Sequence, residues 1–348
     1  MEKTHQKPCF TGTMMGVVPY RDMDRAARII LECFPEAPCL PIMTRSIRWM
    51  LEGIPCLVFD RKRRIVYFDL SPEREGEIVD FYERYEAQEL DYFATSLEIA
   101  PFLHQMIARL RDHRPPGLKW VVFHTAGPLL LGDTLKQADG TPSIHNETLR
   151  DVLIKGMNMK ARWLVEKIKT EIPHVEVIAD LPETTLVTFT SSAGTGSRAE
   201  VIEGINLSFE NLNCVTWVHC CANIDWSLLT DSDVHVINFD AYQHAENVAL
   251  YAKNLATFLE RGGMLGWGIV PVVGEHLREE TAKSLIQRLE RNMDLLVKQG
   301  LDEKILAERS WVLPSCETVL LTPEESDRAL KITNKISRAM REKYGFKA

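Results

Sequence analysis

The stretch Ala245–Val270, A-E-N-V-A-L-Y-A-K-N-L-A-T-F-L-E-R-G-G-M-L-G-W-G-I-V, indicates the fold class of this chain. Its first part, Ala245–Arg261, has apolar residues at three- and four-residue spacing, which is typical of an amphipathic helix. The pair Gly262 and Gly263 follows as a helix stop signal. Met264–Val270 is short and apolar on both faces, as in a parallel strand buried beneath helices. The stretch therefore predicts one helix–strand unit of an α/β protein.

The same alternation of helix-like and strand-like runs continues along nearly the whole chain. The predicted strands are Phe10–Gly16, Asp91–Ser96, Trp120–His124, Glu176–Asp180, Val215–Cys220, Val234–Asp240, Met264–Val270 and Trp311–Ser315. Other predicted helices are Met23–Cys33, Asn146–Lys169, Glu279–Lys298 and one that starts at Thr322-Pro323. Eight strands with intervening helices predict a single (β/α)8 barrel, a TIM barrel, over residues 1–348.

Two segments depart from this alternation. Residues 35–69 contain a predicted β-hairpin, Cys56–Phe59 with Ile65–Phe68, which we interpret as a small insertion after the first strand. The run Ser191–Ser197 is rich in glycine and serine but lacks the G-K-[ST] ending of a phosphate-binding loop. We expect it to form a loop over the mouth of the barrel.

Composition excludes several classes of function. The 348 residues are 45% hydrophobic and 26% charged, with a net charge of −8 and one basic cluster at the hairpin turn, Arg61–Arg64. Nucleic acid is therefore not an expected partner. No apolar stretch is long enough to span a bilayer and the first six residues are polar, so we expect a cytoplasmic protein with reduced thiols. Five of the eight cysteines are expected to be structural: Cys9, Cys33, Cys39, Cys56 and Cys214.

The motif W-V-H-C-C-A-N provides candidate metal ligands at the end of a predicted strand. His219 and Cys221 project to one side of an extended strand, whereas Cys220 projects to the other. A further apolar run, W-V-L-P-S-C, ends in Cys316. One imidazole and two thiolates suit zinc, and three protein ligands leave one coordination position open.

Other polar residues also follow predicted strands, where the active site of such a barrel lies. Asp240 is either a fourth ligand or a carboxylate beside the metal, although it could instead cap the next helix. Cys220 and His244 are weaker ligand candidates. Further residues at strand ends are His124, Thr125, Asp180 and Trp267.

An open zinc site with thiolate ligands indicates a class of reaction. A substrate thiol that enters the open position would lose its proton at neutral pH and could attack an electrophilic carbon. Alkyl transfer to sulfur is therefore favoured over hydrolysis, because thiolate ligands make zinc a weaker Lewis acid.

Several motifs resemble those of one superfamily: L-E-C-F-P-E, N-E-T-L-R-D with K-A-R-W, H-C-C-A-N-I-D-W-S-L-L, N-F-D-A-Y, L-G-W-G-I-V-P and L-P-S-C. The chain resembles the superfamily that unites cobalamin-independent methionine synthase with uroporphyrinogen decarboxylase. It is most similar to the short, single-barrel (core) methionine synthases. The resemblance implies zinc ligation by His219, Cys221 and Cys316, and it aligns the family's acidic ligand with Asp240. The decarboxylase branch lacks this set, which disfavours porphyrinogen decarboxylation.

The resemblance also implies an activity. Zinc would activate homocysteine, which would become methionine by accepting a methyl group from a methylated corrinoid such as methylcobalamin, or from a related donor. The corrinoid would be carried by a partner protein. Asp180 and Asp240 are the candidate catalytic carboxylates, and Asp180 with Glu98 would hold the substrate amine. Thr125 and Trp267 are the other candidate substrate contacts.

Departures from the family pattern leave alternatives open. Gly16–Pro19 reads G-V-V-P where the family often has a serine, and Asp180–Pro182 reads D-L-P in place of D-E-P. The acceptor could therefore be another thiol such as coenzyme M, or the reaction could be demethylation of a small methylated compound. A non-enzymatic alternative is a member that binds a corrinoid protein and holds a structural zinc.

Overall fold

The computed structural model describes residues 5–43, 47–189 and 197–347. The predicted loop at Ser191–Ser197 lies outside these residues except for Ser197. The strands are β1 (Leu57–Asp60), β2 (Ile65–Phe68), β3 (Trp120–His124), β4 (Lys136–Gln137), β5 (Glu176–Pro182), β6 (Val215–Cys220), β7 (Val236–Phe239), β8 (Met264–Val270) and β9 (Ser310–Pro314). Within the described ranges, no helix is both long and apolar enough to cross a membrane.

The α-helices are α1 (Met23–Cys33), α2 (Glu75–Glu86), α3 (Pro101–Asp112), α4 (Pro128–Thr134), α5 (Glu147–Glu171), α6 (Leu186–Phe189), α7 (Arg198–Ser208), α8 (Ser227–Thr230), α9 (Ala245–Ala249), α10 (Ala252–Glu260), α11 (Gly274–Glu279), α12 (Ala282–Lys298), α13 (Glu303–Glu308) and α14 (Pro323–Lys343). Short 3₁₀ helices are Ile47–Met50, Pro72–Arg74, Leu90–Phe93 and Ser143–His145.

Six parallel strands form the central sheet in the order β3-β5-β6-β7-β8-β9. Each strand neighbours the next one in this series along the chain, and helices connect them, as expected of a parallel α/β fold. The strands are buried along their length, so both faces of the sheet are covered. The mixed α/β fold with a parallel half-barrel sheet is therefore confirmed.

Isolated parallel bridges extend the sheet beyond both of its edges. They are Gly12↔Val312, Val17↔Ile42 and Cys39↔Val122. The amide of Val312 donates to Thr11 O at 3.1 Å, and the amide of Leu40 donates to Val122 O at 2.8 Å. Residues near 12–17 and 39–42 thus lie beside the edge strands β9 and β3. The predicted strand Phe10–Gly16 is not a regular strand, because only the isolated bridge at Gly12 pairs it with β9. Closure into a full eight-stranded barrel stays a prediction.

The predicted strand Asp91–Ser96 is wrong. Leu90–Phe93 forms a 3₁₀ helix, and the Phe93 ring is fully buried. Its carbonyl accepts a hydrogen bond of 2.6 Å from the buried ammonium group of Lys160 on α5. This tertiary contact stabilises a turn in a segment whose alternating apolar residues suggested a strand. The bridges of Cys39 and Ile42 also place the start of the predicted 35–69 insertion beside the central sheet.

The predicted hairpin is confirmed with slightly shifted bounds. Strands β1 and β2 pair antiparallel, with Leu57 opposite Phe68 and Asp60 opposite Ile65. The Asp60 side chain accepts hydrogen bonds from the amides of Lys62 and Arg63, which stabilises the turn. The two-residue strand β4 pairs with β2, and its length is too short to give a sequence pattern.

Most predicted helices are confirmed, and two are divided. Helix α1 has the predicted bounds, and Thr322 caps α14 with Pro323 in the first turn. The predicted helix Ala245–Arg261 is α9 followed by α10. The predicted helix Glu279–Lys298 is divided because Thr281 forms a capping box with Ser284 and starts α12.

Three tryptophans fill one face of the central sheet. The ring centroid of Trp311 on β9 lies 4.9 Å from that of Trp120 on β3 and 5.6 Å from that of Trp217 on β6. All three side chains are almost completely buried. Trp217 precedes His219 by two residues and shares its face of the sheet. The tryptophans therefore form an apolar layer next to the strand ends that carry the polar residues.

Gly268, near the end of β8, packs closely against the backbone of the segment that carries Cys316. A β-carbon at this position would lie 2.6 Å from Phe239 O and 2.8 Å from Ser315 Cα. Because both contacts are backbone atoms, Gly268→Ala should lower the free energy of unfolding by about 2 kcal/mol. Gly76→Ala is the control, since nothing lies within 4 Å of the added carbon, and helix propensity should raise stability by about 1 kcal/mol. Urea unfolding measures both, and equal effects would contradict this packing.

Candidate metal centre

His219, Cys221 and Cys316 come together at the carboxyl ends of β6 and β9. Their ligand atoms all lie within 4.8 Å of one another. His219 belongs to β6, Cys221 follows that strand directly, and Cys316 lies two residues after β9. The two strands are separated in the sheet by β7 and β8, so sheet curvature brings their ends together. The described residues therefore contain a group that could hold a metal ion, as the sequence motifs predicted.

The alternation of side chains along β6 explains which cysteine joins the cluster. Cys220 pairs in register with Phe239 of β7 and is completely buried. Its sulfur lies 3.9 Å from the carbonyl oxygen of Ala222. His219 and Cys221, one residue to either side, project to the opposite face. Cys220 is accordingly not part of the three-residue group.

The imidazole of His219 has two unused nitrogen atoms. The residue is 0% exposed, and neither Nδ1 nor Nε2 has a hydrogen-bond partner of regular geometry among the described residues, although the Cys221 sulfur lies close enough for the imidazole to affect its pKa. A buried polar group without a partner costs about 1–3 kcal/mol, so such groups are rare in folded proteins. A metal ion bound to one ring nitrogen would remove part of that cost. His219 therefore fits the role of a ligand, and its two sulfur neighbours fit a soft or borderline divalent ion.

The two sulfur atoms affect each other's ionisation. The adjacent Cys316 thiol lowers the pKa of Cys221 to about 4, against the effect of burial and with a contribution from His219. The adjacent Cys221 in turn raises the pKa of Cys316, and burial raises it further. Because a metal ion binds cysteine as a thiolate, an ion held by both sulfur atoms would displace the proton of Cys316.

Asp240 lies beyond the end of β7 and closes a turn. Its Oδ1 accepts a hydrogen bond of 2.9 Å from the Gln243 amide, and its Oδ2 accepts one of 2.7 Å from Gln243 Nε2. Burial raises the pKa of the carboxyl group, and the Cys221 thiolate adds to this effect. The three-residue group does not include Asp240. Its assignment as a ligand or a catalytic carboxylate stays a prediction, and its contacts are those of a capping residue.

A buried histidine between two carboxylates lies at the same edge of the sheet. His124 Nδ1 is 2.8 Å from Asp180 Oδ2, and His124 Nε2 is 2.8 Å from Glu317 Oε1. Burial alone would lower the pKa of His124, but the hydrogen bonds to Asp180 and Glu317 outweigh it and raise the pKa to about 10. We call these three residues the charge triad. Glu317 directly follows Cys316, so the triad adjoins the metal cluster.

Of the predicted substrate contacts, Asp180 and Thr125 have buried polar atoms that are unpaired among the described residues, whereas Trp267 lies on the other face of the sheet and Glu98 is exposed. Asp180 Oδ1 and Thr125 Oγ1 are buried without hydrogen-bond partners in the described ranges, so both could accept a hydrogen bond from a substrate. Trp267 pairs with Phe239 in register and therefore lies on the face opposite His219, where its indole donates to Ser310 Oγ at 2.8 Å. Glu98 is exposed, in a turn before α3. The contacts of Trp267 are those of a packing residue.

Sequence reasoning missed Glu183 and the partnership of His124 with Glu317. Glu183 is buried, and its carboxylate accepts hydrogen bonds from the amides of Leu129 and Leu130 at the start of α4. Burial raises its pKa to about 8, against the effect of these hydrogen bonds. In the sequence, only the location of these residues suggests a role in the site. Glu183 follows Pro182 at the end of a strand, and Glu317 follows the candidate ligand Cys316.

Comparison with models of known protein families finds no match to this chain, and comparison with curated proteins finds none either. Membership of the methionine synthase superfamily therefore stays a prediction from the motifs.

Substitution of single cysteines tests which thiols hold the ion. Cys221→Ser and Cys316→Ser should each abolish retention of a divalent metal through dialysis, because two protein ligands remain. Cys220→Ser is the matched control and should keep nearly all of the metal, since its side chain lies on the opposite face. Metal content is measured by plasma mass spectrometry. Equal loss in the Cys220 variant would contradict the assignment of ligand faces.

The charge triad predicts how stability depends on pH. The folded pKa of about 10 for His124 lies above the ordinary value of 6.5, so its stabilising contribution is fully present below about pH 6.5. That contribution should be lost as pH rises through about 10. The difference in free energy of unfolding between the wild type and His124→Gln should therefore shrink over this range. A difference that stays constant from pH 6 to pH 10 would contradict a protonated His124.

Proposed function

We propose that the chain is a zinc-dependent methyltransferase that moves a methyl group to a thiol. The fold proposed for it is a closed (β/α)8 barrel, which the bridges of Gly12, Val17 and Cys39 support. The observation that carries the function is the buried His219 imidazole, with two unpartnered nitrogens, close to two cysteine sulfurs. Ligands at strand ends match the position of active sites in such barrels.

Zinc is the ion that fits the donor set best. One imidazole nitrogen and two thiolates are common zinc ligands, and zinc sites with three protein ligands keep a position for an exogenous group. Structural zinc sites normally have four protein ligands, which the three-residue group does not supply. The three residues therefore support a catalytic site over a purely structural one.

The chain's own residues provide most of the proposed mechanism. When bound, the ion lowers the pKa of a thiol that occupies its open position. His219, Cys221 and Cys316 would hold the ion at the sheet edge, and the tryptophan layer beneath them would keep water away from that side. The deprotonated sulfur of the acceptor forms a bond to the methyl carbon while the bond from that carbon to the donor breaks. The bonding electron pair leaves with the donor.

The resemblance to the methionine synthase superfamily suggests which molecules accept and donate the methyl group. Homocysteine, which would give methionine, is the first candidate acceptor, and Asp180 with Glu98 would hold its amine. Methylcobalamin, or a methylated corrinoid on a partner protein, is the candidate donor. Another thiol such as coenzyme M, or demethylation of a small methylated compound, is the second candidate, which Val17 and Leu181 favour. A corrinoid-protein-binding role with structural zinc is the non-enzymatic alternative.

Thiol titration of the zinc-loaded protein tests the proposal. An added thiol should bind with release of about one proton per site, because its sulfur is deprotonated in the complex. The release is measured with a pH indicator in weakly buffered solution, and Cys221→Ser is the matched control that should show none. Methylcobalamin should then lose its methyl group to the bound thiol, which is followed by the change in corrinoid absorbance.

The outcomes separate the proposed classes of function. Proton release with methyl transfer supports the enzyme. Zinc that is retained without proton release, whether homocysteine or another small thiol is added, would overturn the enzymatic proposal and favour a structural ion.

A further inference from the structure

A cavity of about 510 Å³ lies at the edge of the sheet where the strands begin. Lys119, which directly precedes β3, lines it together with residues from the end of α1 and from the second half of α14. The candidate metal ligands instead lie at the carboxyl ends of β6 and β9. The cavity is therefore separate from the metal cluster, and its volume is within the range of small-molecule binding sites.

Helix α14 contributes hydrogen-bond donors to the cavity. Asn334, Arg338 and Arg341 line it and follow one another at four- and three-residue spacing, so they share one face of the helix. Arg338 is exposed, and neither it nor Asn334 forms a hydrogen bond or an ion pair with a described residue. Arg341 is buried, and its Nε has no hydrogen-bond partner within the described ranges. All three side chains thus have unused donors.

Cationic side chains outnumber carboxylates around the cavity. Glu36 accepts a hydrogen bond of 2.6 Å from Lys119 Nζ and also pairs with Arg341, so its charge is balanced within the lining. The other charged lining residues are Arg338 and Glu32, and no ion pair joins these two described side chains. Three cations therefore surround the cavity with two carboxylates, in a chain whose net charge is −8. This local excess of positive charge favours an anionic ligand.

Part of the lining is apolar. Phe34, Pro35 and Pro116 contribute this part. Gly12 brings the chain beside β9 close to both Phe34 and α14, because a β-carbon there would lie 3.3 Å from the Phe34 ring and 3.2 Å from Ser337 Cβ. Apolar walls with a few polar groups at one side are typical of sites for small organic molecules.

We propose that this cavity binds a small organic anion, a carboxylate or a phosphate ester with an apolar part, and that Arg338, Asn334 and Arg341 hold its anionic group. Guanidinium groups recognise both kinds of anion through charge-assisted hydrogen bonds. The site does not depend on the proposed thiol site and changes no step of the methyl transfer.

Three probes of similar shape test the preference for negative charge. Benzoate, benzamide and benzamidine share one ring but are anionic, neutral and cationic. Their binding to the purified protein is measured by ligand-observed NMR titration. Benzoate should bind at least about tenfold more tightly than the other two, because it alone accepts charge-assisted hydrogen bonds from arginine. A parallel titration with phenyl phosphate shows whether a phosphate or a carboxylate binds more tightly.

Arg338→Gln tests where the anion binds. The variant should weaken binding of the tighter anion by about tenfold or more, because it removes an unpaired guanidinium group. It should fold normally, since the Arg338 side chain is exposed and pairs with no described residue. Arg291→Gln is the matched control. Arg291 is exposed on α12, lies outside the cavity and also pairs with no described residue, so the affinity should not change.

Two results would overturn the proposal. Equal affinity for the three benzoate-like probes, or no binding of either anion at millimolar concentration, would show that the cavity does not select anions. Anion binding that is unchanged in Arg338→Gln would place the anion elsewhere, for example on a metal ion. Neither result bears on the thiol site, which is tested separately by proton release.

Discussion

The buried imidazole of His219 is the main physical constraint on the function of this site. It lies at the end of a strand, out of contact with solvent, and no described residue pairs with its nitrogens. Such a side chain is costly unless another species binds it. Cys221 and Cys316 supply two sulfur atoms at that point, and the parallel sheet supplies the geometry, since the strand ends meet at one edge. The position of His219 at the end of its strand thus places the imidazole beside the two sulfur atoms.

Charged residues beside the metal cluster determine the electrostatics of the site. The adjacent Cys316 thiol lowers the pKa of Cys221, and Glu317 places a carboxylate next to Cys316. The His124 cation offsets part of this charge and ties Glu317 to Asp180 across the sheet edge. The loop that carries the third ligand is therefore held by the contact of His124 with Glu317 as well as by the close backbone approach at Gly268. The placement of Cys316 and the charge around it thus depend on the same residues.

Local patterns were sufficient to predict much of the fold and the cluster. Trp120–His124 is a strand, as its short and mostly apolar run predicted, and the alternation in H-C-C correctly places Cys220 away from the cluster. The Asp91–Ser96 segment could not be assigned this way, since the contact from Lys160 depends on a helix that lies 65 or more residues away in sequence. The partnership of His124 with Glu317 likewise joins the ends of the two edge strands β3 and β9, which lie far apart in sequence. A short bridge such as Cys39↔Val122 leaves no periodic pattern to detect.

Zinc-edge X-ray absorption of the purified protein, recorded before and after addition of a thiol, tests whether two cysteines hold an ion that can still bind a substrate sulfur. We expect a four-coordinate ion with two sulfur ligands at about 2.3 Å and nitrogen or oxygen ligands at about 2.0 Å. Addition of a thiol should increase the number of sulfur ligands from two to three. A protein that binds no zinc, or whose zinc keeps an unchanged ligand shell in excess thiol, would show that the three residues do not form an open metal site.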